Sequence, residues 1–157
     1  MSDTARILIV DDDQSILKTF AEVLRDAGHV VDTALNGKGA IEMSKANFYN
    51  LALIDIRLPD MEGTKLLTAL RQTTPKMAKI IITGYPSLQN AVEAVNKGAD
   101  GYIIKPAQTE ELLKMVREHL HKQHEAEQYS ERNVVEYVKT RIRKLETEEK
   151  QPSTKGA

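Results

Sequence analysis

Four short apolar runs, each ending in a polar residue and followed by a helical pattern, limit the fold more than any other feature of the chain. The runs cover residues 6–10, 50–54, 79–82 and 101–104. Apolar runs of this length that alternate with helices are typical of the buried strands of a parallel sheet. In such sheets ligands bind outside the carboxyl ends of the strands. The pattern therefore predicts that the polar residues after the four runs meet at one edge of the sheet.

The side chains at these four strand ends have complementary chemistry. The first run is followed by Asp11 and Asp12, and the other three end at Asp55, Thr83 and Lys105. Carboxylates gathered in a dry pocket repel one another, and a site with only oxygen ligands favours Mg²⁺ or Mn²⁺. Beside such a cation, a carboxylate can attack phosphorus while the ammonium of Lys105 and the hydroxyl of Thr83 bind the phosphoryl oxygens. The strand ends therefore predict a cation-plus-phosphoryl site.

The alternation of strands and helices predicts an α/β fold. Five strand–helix units give a doubly wound, five-stranded parallel sheet with helices on both faces. The strongly apolar segments 7–10, 51–54, 80–82 and 102–104 are predicted to be interior strands. The second strand, Val30–Ala34, is short and partly polar, which predicts an edge position.

Helix boundaries can be predicted from local signals. Asp13, Asn36 and Ser87 each precede a helical pattern and are predicted N-caps. The third helix is predicted to run from Gly63 to about Thr73 and to be closed by the proline at position 75.

The bulk composition indicates one ordinary domain. The chain has 157 residues and no cysteine, which excludes disulfides and thiolate metal sites and fits a reducing compartment. Its formal net charge of −1 gives no general case for binding nucleic acid or membranes. No stretch approaches the length of a membrane span or a signal sequence. We therefore expect a cytoplasmic protein that has no contact with membranes.

The C-terminal part carries two apolar stripes separated by a polar interval. The first stripe ends at Leu120, residues 121–130 are almost wholly polar, and a second stripe runs from Val134 to Leu145. Helix is predicted throughout because no glycine or proline interrupts residues 110–151. One reading is a single long helix with a short coiled-coil seam, and the other is a polar hinge followed by a separate helix. The predicted parts are a globular domain over 1–121, a helical extension over 122–150 and a disordered tail over 151–157.

Four motifs in this order resemble the receiver domain of two-component response regulators. They are Val10-Asp11-Asp12, the run from Asp55 through Pro59 to Gly63, Thr83-Gly84, and Tyr102-Ile103-Ile104-Lys105-Pro106. The resemblance covers about residues 5–121 and implies a sheet with strand order 2-1-3-4-5, flavodoxin-like in its topology. It also implies a phosphorelay signalling protein rather than an enzyme with an external substrate.

The resemblance assigns roles to the residues around the acidic edge. It implies that Asp55 is the phospho-acceptor and receives its phosphoryl group from a histidine kinase or a phosphotransfer protein. Asp12 would bind Mg²⁺ (or Mn²⁺) directly, Asp11 would act mainly through water, and the main-chain carbonyl of Arg57 would complete the protein ligands together with Asp55.

The same resemblance implies a conformational switch. Lys105 would contact the phosphoryl group, and its peptide bond to Pro106 would be cis. Thr83 and Tyr102 would form the switch pair, in which the hydroxyl moves to the phosphate and the ring turns inward. The bulky residues Arg57 and Tyr85 flank the acceptor, so we expect slow loss of the phosphoryl group.

The output of the protein is the less constrained part of the sequence. We expect a switched protein–protein interaction, with a homodimer as one form of it, and we do not expect DNA as a partner because residues 125–157 carry balanced charges. One alternative is a transcription regulator that uses the basic stretch 131–145 on DNA. Another is a phosphohydrolase of the haloacid dehalogenase type; such enzymes place a second acid two residues after the nucleophile, where this chain has Arg57.

Overall fold

The computed structural model describes residues 4–150, and the predicted tail over 151–157 lies outside them. The elements are β1 (Arg6–Val10), α1 (Gln14–Asp26), β2 (Val30–Ala34), α2 (Gly37–Ala46), β3 (Leu51–Asp55), α3 (Gly63–Ala69), β4 (Ala78–Thr83), α4 (Leu88–Asn96), β5 (Gly101–Ile104) and α5 (Thr109–Lys150). All strand pairs are parallel, and the strand order is β2-β1-β3-β4-β5. The predicted doubly wound α/β fold and its strand order are confirmed.

The two edges of the sheet test the predicted strand positions. β2 lies at an edge, as its partly polar sequence predicted. The prediction that segment 102–104 is an interior strand is wrong, because β5 pairs only with β4 and forms the other edge. Its apolar content has a different origin: Ile103 is buried in the core while Ile104 is 54% exposed. A run of apolar residues reports the burial of side chains on the sheet faces, and it does not report how many neighbours the backbone has.

The core lies on both faces of the sheet, because successive strand residues point to opposite sides. Ile7 and Ile9 of β1 pack in one cluster, which Leu112 and Val116 of α5 complete. Leu8 and Val10 pack in the second cluster, on the side of α2 and α3. A fully buried aliphatic side chain contributes about 1.5–3 kcal/mol relative to an exposed one, so the two clusters fix the strand ends in space.

Three helix starts follow the predicted caps. The Asp13 carboxylate accepts hydrogen bonds from the first amides of α1 at 2.9 and 3.3 Å, and Asn36 caps α2 at 2.7 Å. Ser87 and Asn90 form a reciprocal capping box at the start of α4. These caps set where each helix begins and hence where the loops at the carboxyl edge turn.

The third helix is shorter than predicted, ending at Ala69 instead of about Thr73. Leu70 is extended and buried, and the following Arg71 binds the end of α2. The amide of Arg71 donates to the Ser44 hydroxyl at 3.2 Å, and its guanidinium donates to the Ser44 carbonyl at 2.9 Å. These tertiary bonds end the helix six residues before Pro75, the residue that was expected to close it.

Two compact units divide the chain, the first ending at Gln123 and the second beginning at His124. In the first unit, the Gln123 amide donates to the carbonyls of Asn50 and Lys76 at 2.8 and 2.7 Å. In the second unit, residues 124–149 are helical and every side chain is exposed. Residues 121–130 are helical, as predicted, and the choice between one long helix and a hinge stays open. The predicted domain boundary at residue 121 stays a prediction.

Candidate functional site

The strand ends bring four of the predicted residues together. Asp11 directly follows β1, Asp55 ends β3, Thr83 ends β4 and Lys105 directly follows β5. Ligand oxygens of Asp11, Asp12 and Asp55 all lie within 4.8 Å of one another. This acidic cluster is the only group of three or more potential metal-binding residues within residues 4–150.

The three carboxylates of the cluster differ in exposure. Asp11 and Asp55 are buried, with 3% and 7% of their surfaces exposed, whereas Asp12 is exposed. One oxygen of Asp11 accepts a hydrogen bond from the amide of Asp13 at 2.9 Å. The cluster therefore offers two buried carboxylates, Asp11 and Asp55, and one exposed carboxylate, Asp12, as possible metal ligands.

Lys105 supplies the positive charge of the site. Its Nζ donates to Asp11 Oδ2 at 2.7 Å and to Asp55 Oδ2 at 3.3 Å, and its backbone amide donates to the Thr83 carbonyl at 2.8 Å. Burial acts to lower the pKa of the Lys105 ammonium, but the hydrogen bond and charge of Asp11 and the charge of Asp55 outweigh burial and raise that pKa. Lys105 is therefore held as a cation between two carboxylates.

The surroundings of Asp55 disfavour its ionised form. Burial and the nearby charge of Asp11 raise the pKa of the Asp55 carboxyl, although Lys105 and the amide of Arg57 act in the opposite direction. One ammonium cannot balance two buried carboxylates and a third at the rim. An additional cation at this position would relieve the repulsion.

The loop after β3 begins directly after Asp55. The amide of Gly63 donates to the Ile56 carbonyl at 2.6 Å, and the amide of Leu58 donates to the Met61 carbonyl at 3.2 Å. The described hydrogen bonds thus leave the carbonyl of Arg57 unused. On the outer side of the loop, the Asp60 carboxylate accepts from the first two amides of α2 at 2.8 and 2.9 Å, and these bonds lower its pKa.

The two residues of the predicted switch pair are held by different partners. The hydroxyl oxygen of Thr83, which is fully buried, accepts a hydrogen bond from the amide of Tyr85 at 3.0 Å. The Tyr102 hydroxyl donates to Asn90 Oδ1 at 2.6 Å, and the Asn90 amide donates to the Tyr85 carbonyl at 3.0 Å. Asn90, which the sequence analysis did not single out, joins the strand β5 to the loop after Thr83.

Arg57 and Tyr85 make a contact that the sequence did not reveal. The guanidinium carbon of Arg57 lies 3.9 Å from the centroid of the Tyr85 ring, a cation–π distance. Their positions two residues after Asp55 and two after Thr83 were the only available signal. The peptide bond before Pro106 is cis, as expected.

Comparisons with known proteins agree with this geometry. The family model described as "Response regulator receiver domain" matches residues 7–117. A receiver domain protein of Methanospirillum hungatei, described as CheY-like, is 44% identical with a TM-score of 0.76, over 79% of this chain and 99% of that one. A response regulator of Burkholderia pseudomallei, solved with a phosphorylated aspartic acid, calcium ion and citrate, is 30% identical with a TM-score of 0.69, over 80% of this chain and 73% of that one.

Curated relatives include longer regulators. The alginate biosynthesis transcriptional regulatory protein AlgB of Pseudomonas syringae pv. tomato is 35% identical over 107 residues, which are 68% of this chain and 24% of AlgB. The chain thus spans about a quarter of the length of this relative. AlgB is named a transcriptional regulatory protein, so this comparison does not support the expectation that DNA is excluded as a partner. No helix within residues 4–150 is long and apolar enough to cross a membrane. The family model covers most of the sheet and four strand ends of the site, and the chain belongs to the response regulator receiver domain family.

Proposed function

We propose that the protein is a phosphorylatable signalling switch that accepts a phosphoryl group on Asp55 from a histidine kinase or phosphotransfer protein. The observation that carries this proposal is the buried Asp55 carboxylate, 3.3 Å from the Lys105 ammonium and inside a cluster of three carboxylates. The Burkholderia pseudomallei relative, solved with a phosphorylated aspartic acid, supports it. The only covalent chemistry of the proposed switch takes place on the protein itself.

The donor set fits Mg²⁺ or Mn²⁺. Asp12, Asp55 and the unused carbonyl of Arg57 would hold the ion, with Asp11 acting mainly through water. All of these ligands are oxygens, which hard divalent cations prefer, and the unbalanced charge of the cluster calls for such an ion. When bound, the ion neutralises charge on the transferring phosphoryl oxygens.

The side chains then divide the work of phosphoryl transfer. An oxygen of Asp55 attacks phosphorus, so that a P–O bond forms as the P–N bond of the phosphohistidine breaks. Lys105 moves little, because it already donates to Asp55, and it binds a phosphoryl oxygen of the product. The buried hydroxyl of Thr83 can turn from the Tyr85 amide to donate to a second phosphoryl oxygen.

The added phosphoryl group carries a charge of roughly −2 at neutral pH, which biases the surface formed by the last two strands and helices. Movement of Thr83 would release the loop of Tyr85, and Asn90 would pass this change to the Tyr102 hydroxyl. Near these residues, α4 exposes Leu88, Val92 and Val95, spaced as one helix face. An exposed apolar face of this kind favours a protein partner as the output.

The proposal is tested by intact mass after incubation with acetyl phosphate or phosphoramidate and Mg²⁺. We expect one phosphoryl adduct in the wild type, none in Asp55→Asn, and a normal adduct in the control Asp26→Asn, which changes an exposed aspartate of α1. No adduct with either donor, or an adduct that persists in Asp55→Asn, would reject Asp55 as the acceptor.

A second candidate function is transcription regulation through DNA. The name of the relative AlgB favours it, and exposed basic residues are available in the stretch 131–145: Arg132, Lys139, Arg141, Arg143 and Lys144. Binding that uses these residues would weaken steeply as salt is raised, with a slope set by the number of phosphate contacts. Binding to a protein partner would depend on salt only weakly.

A further inference from the structure

The second unit exposes an apolar stripe that nothing in the chain covers within the described residues. We define the C-terminal stripe as Val135, Val138, Ile142 and Leu145, which are 46–50% exposed. Their spacing of three, four and three residues matches the a and d positions of a heptad repeat. A stripe with this period needs a second helix with the same period to bury it.

The residue types favour two strands. Three of the four stripe residues fit this preference: Val135 and Ile142 fall at a positions, where β-branched side chains favour parallel dimers, and Leu145 falls at a d position, where leucine does the same. Val138, at the other d position, is the one departure from the pattern. We propose that the C-terminal stripe is the seam of a parallel, in-register, two-stranded coiled coil between two copies of this chain. This inference is independent of the phosphoryl chemistry proposed above, because it uses only residues 127–149.

The charges beside the seam distinguish the two orientations. In a parallel pair, Glu127 at a g position faces Arg132 of the second copy at an e position. Two heptads further on, Arg141 at a g position faces Glu146 of the second copy at an e position. Each contact occurs twice by symmetry, and the remaining g–e pair joins Val134 to Lys139, so no like charges meet between these flanking positions. Glu131 and Glu149, at the next d and a positions, face their own copies and limit the seam to the apolar residues between them.

An antiparallel pair with the same seam has the opposite property. With Val138 facing Ile142 across the axis, Lys139 would lie beside Lys139 of the second copy, and Arg141 beside Arg141 of the second copy. Like charges in these flanking positions destabilise the pair. Among the described residues of one chain, Lys139 forms an ion pair only with Glu136, at the long distance of 3.9 Å. Its charge would therefore repel Lys139 of the second copy in the antiparallel pair. The antiparallel pair would also bring Arg132 beside Glu146 of the second copy, but its two like-charged contacts lie at the centre of the stripe, and they favour the parallel orientation.

Single cysteines in the full chain test the seam, because the protein has no cysteine of its own. Val135→Cys and Leu145→Cys place thiols at a and d positions, where each meets its own copy in a parallel pair. Thr140→Cys is the matched control at an outward f position. We expect disulfide dimers to form roughly tenfold faster or more in the seam variants than in the control, because the coil holds the two thiols at millimolar effective concentration.

Three outcomes would overturn the proposal. Equal rates in all three variants would mean random collision. Cross-linking only in a mixture of the Val135→Cys and Leu145→Cys proteins would mean an antiparallel pair. Sedimentation of the wild-type protein at about 100 μM would reveal a dimer with a micromolar dissociation constant. A monomer under these conditions would mean that the stripe does not bind a second copy.

Charge reversal gives an independent test. Arg141→Glu alone places like charges across the parallel seam and should raise the dimer dissociation constant by about tenfold. The double variant Arg141→Glu/Glu146→Lys restores attraction in the parallel pair and should return the constant to near the wild-type value. In an antiparallel pair the double variant would bring the changed side chain at 146 beside Arg132 and bind no better. Failure of the double variant to rescue would therefore reject the parallel register.

Discussion

Asp32 and Asp55 are both carboxylates at the strands of one parallel sheet, but their surroundings differ. Asp32, on the edge strand β2, accepts hydrogen bonds from the Tyr49 hydroxyl at 2.6 Å and from the Arg6 guanidinium at 3.1 Å. Asp55, at the end of a central strand, shares the one ammonium of Lys105 with Asp11. Donors are sufficient at the first site, and carboxylates are in excess at the second.

The comparison distinguishes a cluster that stabilises the fold from one whose charges are suited to chemistry. Charges that meet enough donors hold the fold, whereas buried like charges cost free energy unless something else in the cell relieves them. The charge imbalance therefore indicates that Asp55, and not Asp32, awaits a further ligand. We therefore expect the largest loss of stability from a substitution that removes the ammonium of Lys105 from this site.

Lys105→Met should lower the free energy of unfolding by about 3 kcal/mol in chelator, because it leaves two buried carboxylates without their cation. Mg²⁺ should restore part of the loss, and urea unfolding with and without Mg²⁺ measures both. The control is Arg6→Met, whose ion pair to Asp32 is partly exposed and should cost only about 1 kcal/mol. Equal losses in the two variants would remove the contrast between the sites.

Asp55→Asn and Asp32→Asn should shift stability in opposite directions. Since the folded-state pKa of Asp55 is raised, its protonated form stabilises the fold below the unfolded-state pKa, and that stabilisation is lost as pH rises through the folded-state pKa. At pH 7 in chelator, Asp55→Asn should therefore raise the unfolding free energy by about 1 kcal/mol, with the gain vanishing near pH 4. Asp32→Asn should lower it by about 1 kcal/mol, because two charge-assisted hydrogen bonds weaken. Urea unfolding at the two pH values decides the signs, and a loss in both variants would contradict them.

Tyr49→Phe should reveal an alkaline weakness at the Asp32 site. Burial, followed by the hydrogen bond and charge of Asp32, raises the pKa of Tyr49 to about 12 from an ordinary value of 10.0. The stabilisation from neutral Tyr49 is complete below pH 10 and is lost as pH rises toward 12. At pH 11 the wild type should have lost about 1 kcal/mol more than Tyr49→Phe, relative to pH 8. Parallel losses in the two proteins would show that folding does not raise the pKa of the Tyr49 phenol.

Tyr85→Ala should have the smallest effect and concerns the mouth of the Asp55 site. The cation–π pair of Arg57 and Tyr85 would hinder an attacking water, so its removal should speed loss of the phosphoryl group roughly threefold. The rate is followed by intact mass after the donor is removed. Tyr137→Ala, an exposed tyrosine of α5, is the control and should leave the rate unchanged.

Sequence reasoning was sufficient for the sheet and for the acidic edge because both depend on local order along the chain. Apolar runs that alternate with helices predict a parallel sheet, the resemblance to the receiver family implies its strand order, and residues at the carboxyl ends of parallel strands converge at one edge. Asp11, Asp55, Thr83 and Lys105 could be placed in this way before any coordinates were available.

Side-chain contacts between segments far apart in the chain could not be predicted from the sequence. Tyr49 meets Asp32 across 17 residues and Arg71 binds Ser44 across 27, and neither pair follows a periodic signal. The edge position of β5 was missed from the pattern because Ile103 and Ile104 look equally buried in the sequence. The stacking of Arg57 on Tyr85 depends on how two loops fold, which is a property of the whole edge.

The close approach of Gly63 to the main chain of Asp55 has a consequence for sequence variation. A β-carbon at position 63 would overlap the backbone carbonyl of Asp55, whereas one at Gly84 would make only ordinary contact, 3.8 Å from the Lys105 side chain. In a library of variants selected for folded protein, position 63 should therefore accept glycine alone, while position 84 should accept alanine. Glycine at position 63 is therefore a condition for the backbone position of Asp55, because the main chain of Asp55 can keep its place only where that neighbour has no side chain.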